Sequence, residues 1–263
     1  MRKKLKTQNI ATNVRKKLLK IALLSQSSHV GSALSIVDIL VVIYSSFKKK
    51  KKNSFILSKG HGCMALYSVL NEYGVISDKT LNTYGKNDTI LMGHASHYVP
   101  GVNFSTGSLG HGLPAAVGIA LAKKLKKDSS KVYVLLSDGE LNEGSNWEAF
   151  LFASHHRLNN LRIIIDYNKL QSIDFVKNII KIEPLRKKFE SFGCKVFEVN
   201  GHHHRQLSKV ITFKNKKPVV IIANTIKGKG VKIMENKILW HYKSVDSINY
   251  ESAIKEINEK NIH

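Results

Sequence analysis

Cysteine and proline are scarce, with 2 and 4 residues respectively in a chain of 263. Few prolines leave most of the backbone free to form long helices and strands, because proline fixes φ and removes a donor. Cys63 and Cys194 lie far apart and have neither zinc-site nor redox spacing, so they read as reduced intracellular thiols. Acidic residues are also few: 19 Asp and Glu stand against 42 Lys and Arg, a net charge of +23. Such a surplus raises nucleic acid, membrane surfaces and anionic ligands as partners. The basic residues are spread along the chain, however, and the densest run, 48–52, falls between a predicted helix and a predicted strand, where a solvated turn is expected. No nucleic-acid partner is expected. Long apolar runs are missing too. Residues 18–24 are interrupted by Lys20, residues 39–44 are far too few to cross a bilayer, and no apolar segment follows the basic residues 1–4. The expectation is a cytoplasmic protein without membrane contact.

What the chain does have is an alternation of two periodicities. Ile10, Val14, Leu18 and Ile21 mark one face of a helix over 9–25. Ser35 is placed to cap a helix over 36–46 with Asp38 in its first turn. Helices are predicted over 61–73, from Pro114 to Lys124, and over 144–157, 184–192 and 203–213. Between them lie short apolar runs at 55–57, 132–136, 161–165, 195–199 and 219–223. Strands apolar on both faces and separated by helices predict an α/β fold, a three-layer α/β/α arrangement around a mostly parallel sheet. A single domain over 1–263 is expected, with its core at 10–245 and a polar helical tail. Ligands bind beyond the carboxyl ends of such strands, where Asp138, Asn168 and Asn200 fall.

Two of those strand ends carry chemistry. Asp138-Gly139-Glu140 closes one apolar run and Asp166-Tyr167-Asn168 closes the next. Carboxylate and carboxamide oxygens at neighbouring tips suit Mg2+, which takes oxygen at roughly 2.0–2.1 Å and shares its shell with phosphates. Gly139 removes a side chain where phosphates would approach. Taken alone, this segment also reads as a plain strand-ending turn. The spacing of Asp-Gly and Asn resembles the thiamine diphosphate fingerprint. Further clusters match in order and spacing: Ser28-His29-Val30-Gly31-Ser32, Ser58-Lys59-Gly60-His61-Gly62, Gly93-His94-Ala95, the glycine-rich stretch 106–112, Lys227-Gly228-Lys229-Gly230 and Trp240-His241. With Glu143-Gly144 and Trp147-Glu148-Ala149, they resemble the N-terminal, diphosphate-binding half of transketolase over residues 10–245.

The resemblance implies specific roles. Asp138, the Asn168 side-chain oxygen and the Leu170 carbonyl would bind Mg2+. Gly139 would admit the diphosphate, and Gly107, Ser108 and Leu109 would face the cofactor's rings. His61 and His241 would touch the diphosphate and the mouth of the site, and Lys229 would close a loop over the cofactor. Glu140 counts among the cofactor contacts, as does Glu143, which matches the interface glutamate that bonds to the catalytic one. His29, His94 and His241 would serve the sugar, with His29 and His94 holding the donor's C1 hydroxyl and C2 oxygen. The implied reaction moves a two-carbon ketol unit from a ketose to an aldose on thiamine diphosphate. The family's catalytic glutamate lies on a pyrimidine-binding domain. That domain and the C-terminal domain are expected on a partner chain, in an α2β2 assembly, with this chain inactive by itself. Ser137 stands where relatives have glycine, and His202-His203 where many have His-Asp. The run 202–204 also raises zinc, although adjacent histidines on an Asn-Gly turn seldom converge on one ion. Other readings are a deoxyxylulose-phosphate synthase, a 2-oxoacid dehydrogenase subunit, or a non-catalytic scaffold.

Overall fold

The computed structural model describes residues 2–47 and 52–259. The lysine run at 48–52 therefore lies, except for Lys52, outside the described residues, as does the end of the tail. Helices α1 (Arg2–Ser25), α2 (Val30–Ser35) and α3 (Val37–Phe47) lead into strand β1 (Ser54–Leu57). Helices α4 (Cys63–Glu72), α5 (Asp78–Leu81) and α6 (Gly112–Leu125) precede β2 (Val132–Ser137). Then α7 (Gly144–His155) crosses to β3 (Leu161–Tyr167), and α8 (Val176–Ile179) and α9 (Leu185–Ser191) cross to β4 (Lys195–Asn200). Finally α10 (His204–Ile211), β5 (Val219–Asn224) and α11 (Ser247–Glu259) complete the order.

All five strands are parallel, in the order β1-β2-β3-β5-β4. Alternate residues of each strand enter opposite cores, as the pleat requires. Leu57, Tyr133, Leu135, Ile164 and Ile221 join the core under α1, α3, α4 and α10. Ile56, Val134, Leu136, Ile163 and Ile222 join the core under α6, α7 and α9. The apolar runs are continuous because both faces of the sheet are covered. Among the described residues, no helix is long and apolar enough to cross a membrane.

Two expectations shift. Ser35 does not cap a helix: it ends α2, and its hydroxyl donates to Asp166 of β3 at 2.6 Å. The side chain that could have satisfied a helix N-terminus is used to build the sheet's carboxyl edge instead. The C-terminal tail is helical as expected, but Ala253 and Ile257 of α11 are buried against α1, so the core extends beyond 245.

Candidate cofactor and metal site

A cavity of about 250 Å³ opens beyond the carboxyl ends of β2 and β3. Asp138 follows β2 directly and is 1% exposed. Its carboxylate accepts from the Gly139 amide at 2.8 Å and from the Lys169 amide at 2.5 Å. That second bond sets the tip of β2 against the turn after β3, where Asn168 stands. Lys169 adopts φ 67, which turns the backbone sharply between Asn168 and Leu170. The Asn168 amide donates to Asp166 at 3.0 Å, and its oxygen accepts from the Leu170 amide at 3.0 Å. The Asn168 oxygen therefore points away from Asp166, with a second lone pair still to offer.

Beneath these ligands lies a closed ion pair. Asp166 meets the Lys59 ammonium at 2.6 Å, and both side chains are buried. Ser35 and Thr225 donate to its other oxygen. Burial pushes the Asp166 carboxyl up, but Lys59 and these hydrogen bonds outweigh it and hold the group below its ordinary range. Asp138 has no such partner. Burial first, and then the neighbouring Asp166 charge, raise it to about 7. A buried carboxylate that faces a cavity and carries only backbone bonds fits a cation ligand. A Cβ on Gly139 would stand 3.0 Å from the Gln171 side chain, which would have to shift to admit it. The donor set thus suits an oxygen-seeking divalent ion beside a ligand that needs close backbone approach.

Four histidines form the wall. His29, at φ 68 before α2, donates its backbone amide to the His241 carbonyl at 2.8 Å, and its Nδ1 lies 2.9 Å from Ser28 Oγ. Its ring centroid is 4.9 Å from His241, 5.4 Å from His61 and 6.4 Å from His94. All four line the cavity, with Leu109, Asp138, Gly139, Asn168 and Leu170. Burial, helped by nearby positive groups, lowers His29 to about 4 and His241 to about 3, and holds His61 well below its ordinary value. At neutral pH His29, His61 and His241 are uncharged. With Nδ1 of His29 against Ser28 and Nδ1 of His241 against Lys227, those two rings keep Nε2 for a hydroxyl.

Several expected residues stand elsewhere. Ser108 and Glu143 are exposed and outside the cavity lining, and Gly107 is half-buried with its α-carbon facing the His94 ring. Glu140, expected among the cofactor contacts, has a buried carboxylate held by the Ser58 hydroxyl and the Gly110 and Ser137 amides. It ties three loops together beneath the site. Lys229 pairs with Glu235 at 3.1 Å, away from the cavity lining. The lysine that reaches inward is Lys227, two residues earlier and 1% exposed. Its ammonium lies 3.0 Å from His241 Nδ1 and donates to the Gln171 carbonyl at 2.8 Å and, more weakly, to the Leu170 carbonyl at 3.4 Å. Burial lowers it to about 8. Asp166 and Lys227 were both missed in the sequence. For Lys227 the available signal was the glycine on each side of Lys229, which allows the turn that separates the two lysines.

A transketolase from Campylobacter jejuni has the same fold. The two superpose with a TM-score of 0.86 and 26% identity over 98% of this chain, which spans 43% of that protein. Residues 7–255 match the family model described as transketolase, thiamine diphosphate binding domain, and the chain belongs to that family. It is 42% identical, over 92% of its length and 93% of the relative's, to an apulose-4-phosphate transketolase subunit from Actinobacillus succinogenes. It is 34% identical, over 88% of its length and 89% of the relative's, to the 6-deoxy-6-sulfo-D-fructose transketolase subunit SqwG of a Clostridium strain.

Proposed function

We propose that this chain is the diphosphate-binding subunit of a two-chain transketolase that transfers a two-carbon ketol unit from a ketose to an aldose. The observation that carries the reading is Asp138: a buried, unpaired carboxylate beside Asn168, facing a cavity walled by four histidines. Asp138, the Asn168 oxygen and the Leu170 carbonyl would hold Mg2+, and the ion would supply the charge that Asp138 lacks. Lys227 would move from the Leu170 and Gln171 carbonyls to a diphosphate oxygen. Gly139 and Leu109 would give the cofactor close contact with backbone and apolar surface. Bound thiamine diphosphate supplies the carbon nucleophile and electron sink for ketol transfer. His29, His94 and His241 would orient the donor sugar through its hydroxyls and carbonyl oxygen, with ring nitrogens that accept or donate.

The exposed Glu143 would face a partner chain that brings a pyrimidine-binding domain and the acid that activates the cofactor, in an α2β2 complex. Relatives named for a sugar phosphate and a sulfo-sugar, together with the +23 net charge, support an anionic sugar as substrate. Calorimetric titration of the chain plus its partner is expected to show thiamine diphosphate binding only when Mg2+ is present. Asp138→Ala is expected to abolish that heat. Binding without Mg2+, or full affinity in the variant, would overturn the metal assignment.

A further inference from the structure

His202 and His204 converge on Asp38, a carboxylate more than 160 residues upstream in sequence. Asp38, buried in α3, receives Arg15 at 2.6 and 3.3 Å, His202 Nδ1 at 2.7 Å and His204 Nε2 at 2.9 Å. Burial pushes the Asp38 carboxyl up, but the Arg15 charge and these hydrogen bonds outweigh it and hold it well below the usual range. The cavity does not include these groups. Buried charged clusters add little net stability over apolar packing of the same volume, so a cluster joining α1, α3 and the β4–α10 turn calls for another role.

Its two outward-reaching ends give that role. His202 Nε2 accepts the Ile226 amide at 2.9 Å, and Arg15 Nε donates to the Lys229 carbonyl at 3.0 Å. The Ile226 amide can only donate, so the His202 proton sits on Nδ1 and goes to Asp38; the tautomer is fixed by its two neighbours. Both anchors fall on the same short loop, one on each side of Lys227. Between them Gly228 adopts φ 81, and a Cβ there would stand 2.2 Å from the Met234 carbonyl oxygen. A Cβ on Gly230, at φ 105, would press on the Arg15 side chain at 2.9 Å. The loop is thus shaped on the Arg15 side and pinned on the His202 side.

We infer that Arg15, Asp38 and His202 are positioning residues that hold the 226–229 loop so that Lys227 meets the diphosphate. The inference rests on the reading of Lys227 given above. Outer partners that fix a ligand's orientation carry much of a binding site's affinity. His202→Leu removes both bonds, whereas His202→Gln keeps an amide donor for Asp38 and an oxygen for the Ile226 amide.

The test is amide exchange on the cofactor-free full chain, followed by titration of thiamine diphosphate with Mg2+ on the chain plus its partner. His202→Leu is expected to speed exchange over 226–236 about tenfold while β2 and β3 stay protected. It is expected to weaken cofactor binding about tenfold, and His202→Gln to restore both. Unchanged exchange over 226–236 overturns the inference, and so does faster exchange spread evenly through the sheet, the mark of a purely structural role. Lys227→Met separates the two readings. Weakened binding with normal exchange supports both. Full affinity sinks the diphosphate reading and with it the purpose of the cluster, while the exchange data alone decide whether the cluster orders the loop.

Discussion

Asp38 and Asp138 are both buried carboxylates, and they end in opposite states. Asp38 collects a guanidinium and two imidazoles from its own chain and stays well below the ordinary carboxylate range. Asp138 collects two backbone amides, lies near Asp166, and is raised to about 7. The protein completes the first cluster by itself and leaves the second incomplete on the side that faces the cavity. The difference is between a buried carboxylate that the chain pairs itself and one that it leaves unpaired toward a cavity. A buried charge needs a partner, and the metal proposed above would supply the missing one.

Substitution should expose that contrast. Asp38→Ala leaves Arg15 buried beside an empty position, and is expected to cost roughly 3–5 kcal/mol of folding stability by urea titration. A loss under about 1 kcal/mol would break the comparison. His94→Ala, in the open cavity, is expected to leave stability and cofactor affinity intact while lowering donor turnover about a hundredfold, measured in the two-chain complex. Asp138→Asn should act in the opposite direction to Asp38→Ala. Removal of an unpaired buried charge is expected to raise the stability of the metal-free chain by roughly 0.5–2 kcal/mol, as at other functional residues. The gain should vanish if the comparison partner is wild type saturated with Mg2+ and cofactor.

The smallest effect is that of pH. His29 and His241 have folded values of about 4 and about 3 against an ordinary 6.5, so the unfolded chain binds protons more readily than the folded one. Their contribution is complete above about pH 6.5 and is lost progressively as pH falls from there toward the folded values of about 4 and about 3. Urea midpoints compared at about pH 7 and about pH 5 should show the loss, and His29→Gln should flatten it. An unchanged slope in that variant would mean that its imidazole is not buried neutral.

Much of this architecture was legible because it is local. The five apolar runs mark the strands, and each lies within a few residues of the observed limits. The cavity histidines were legible only as members of clusters, since nothing in a lone His-Gly distinguishes His61 from an ordinary turn residue. What the sequence hid are contacts between distant segments. Ser35 and Asp166 meet across 131 positions, so a helix cap and a strand-edge partner looked alike. Asp38 read as an acid in a first helical turn, with no sign that His202 and His204 would reach it. Lys227 and Lys229 are equivalent in pattern, and only the left-handed turn at Gly228 decides which one points inward. Glu140 follows the strand as a ligand would, yet the Gly110 amide and the Ser58 hydroxyl claim it.

The bond from the His29 amide to the His241 carbonyl joins the entry of α2 to the segment that precedes α11. Gln26 strengthens the seam, donating to the Val245 carbonyl and accepting from Ser244. During synthesis the strand tips that carry Asp138 and Asn168 emerge well before this seam can close. If the cofactor binds here as proposed, uptake would have to wait until the stretch from His241 to Val245 has left the ribosome.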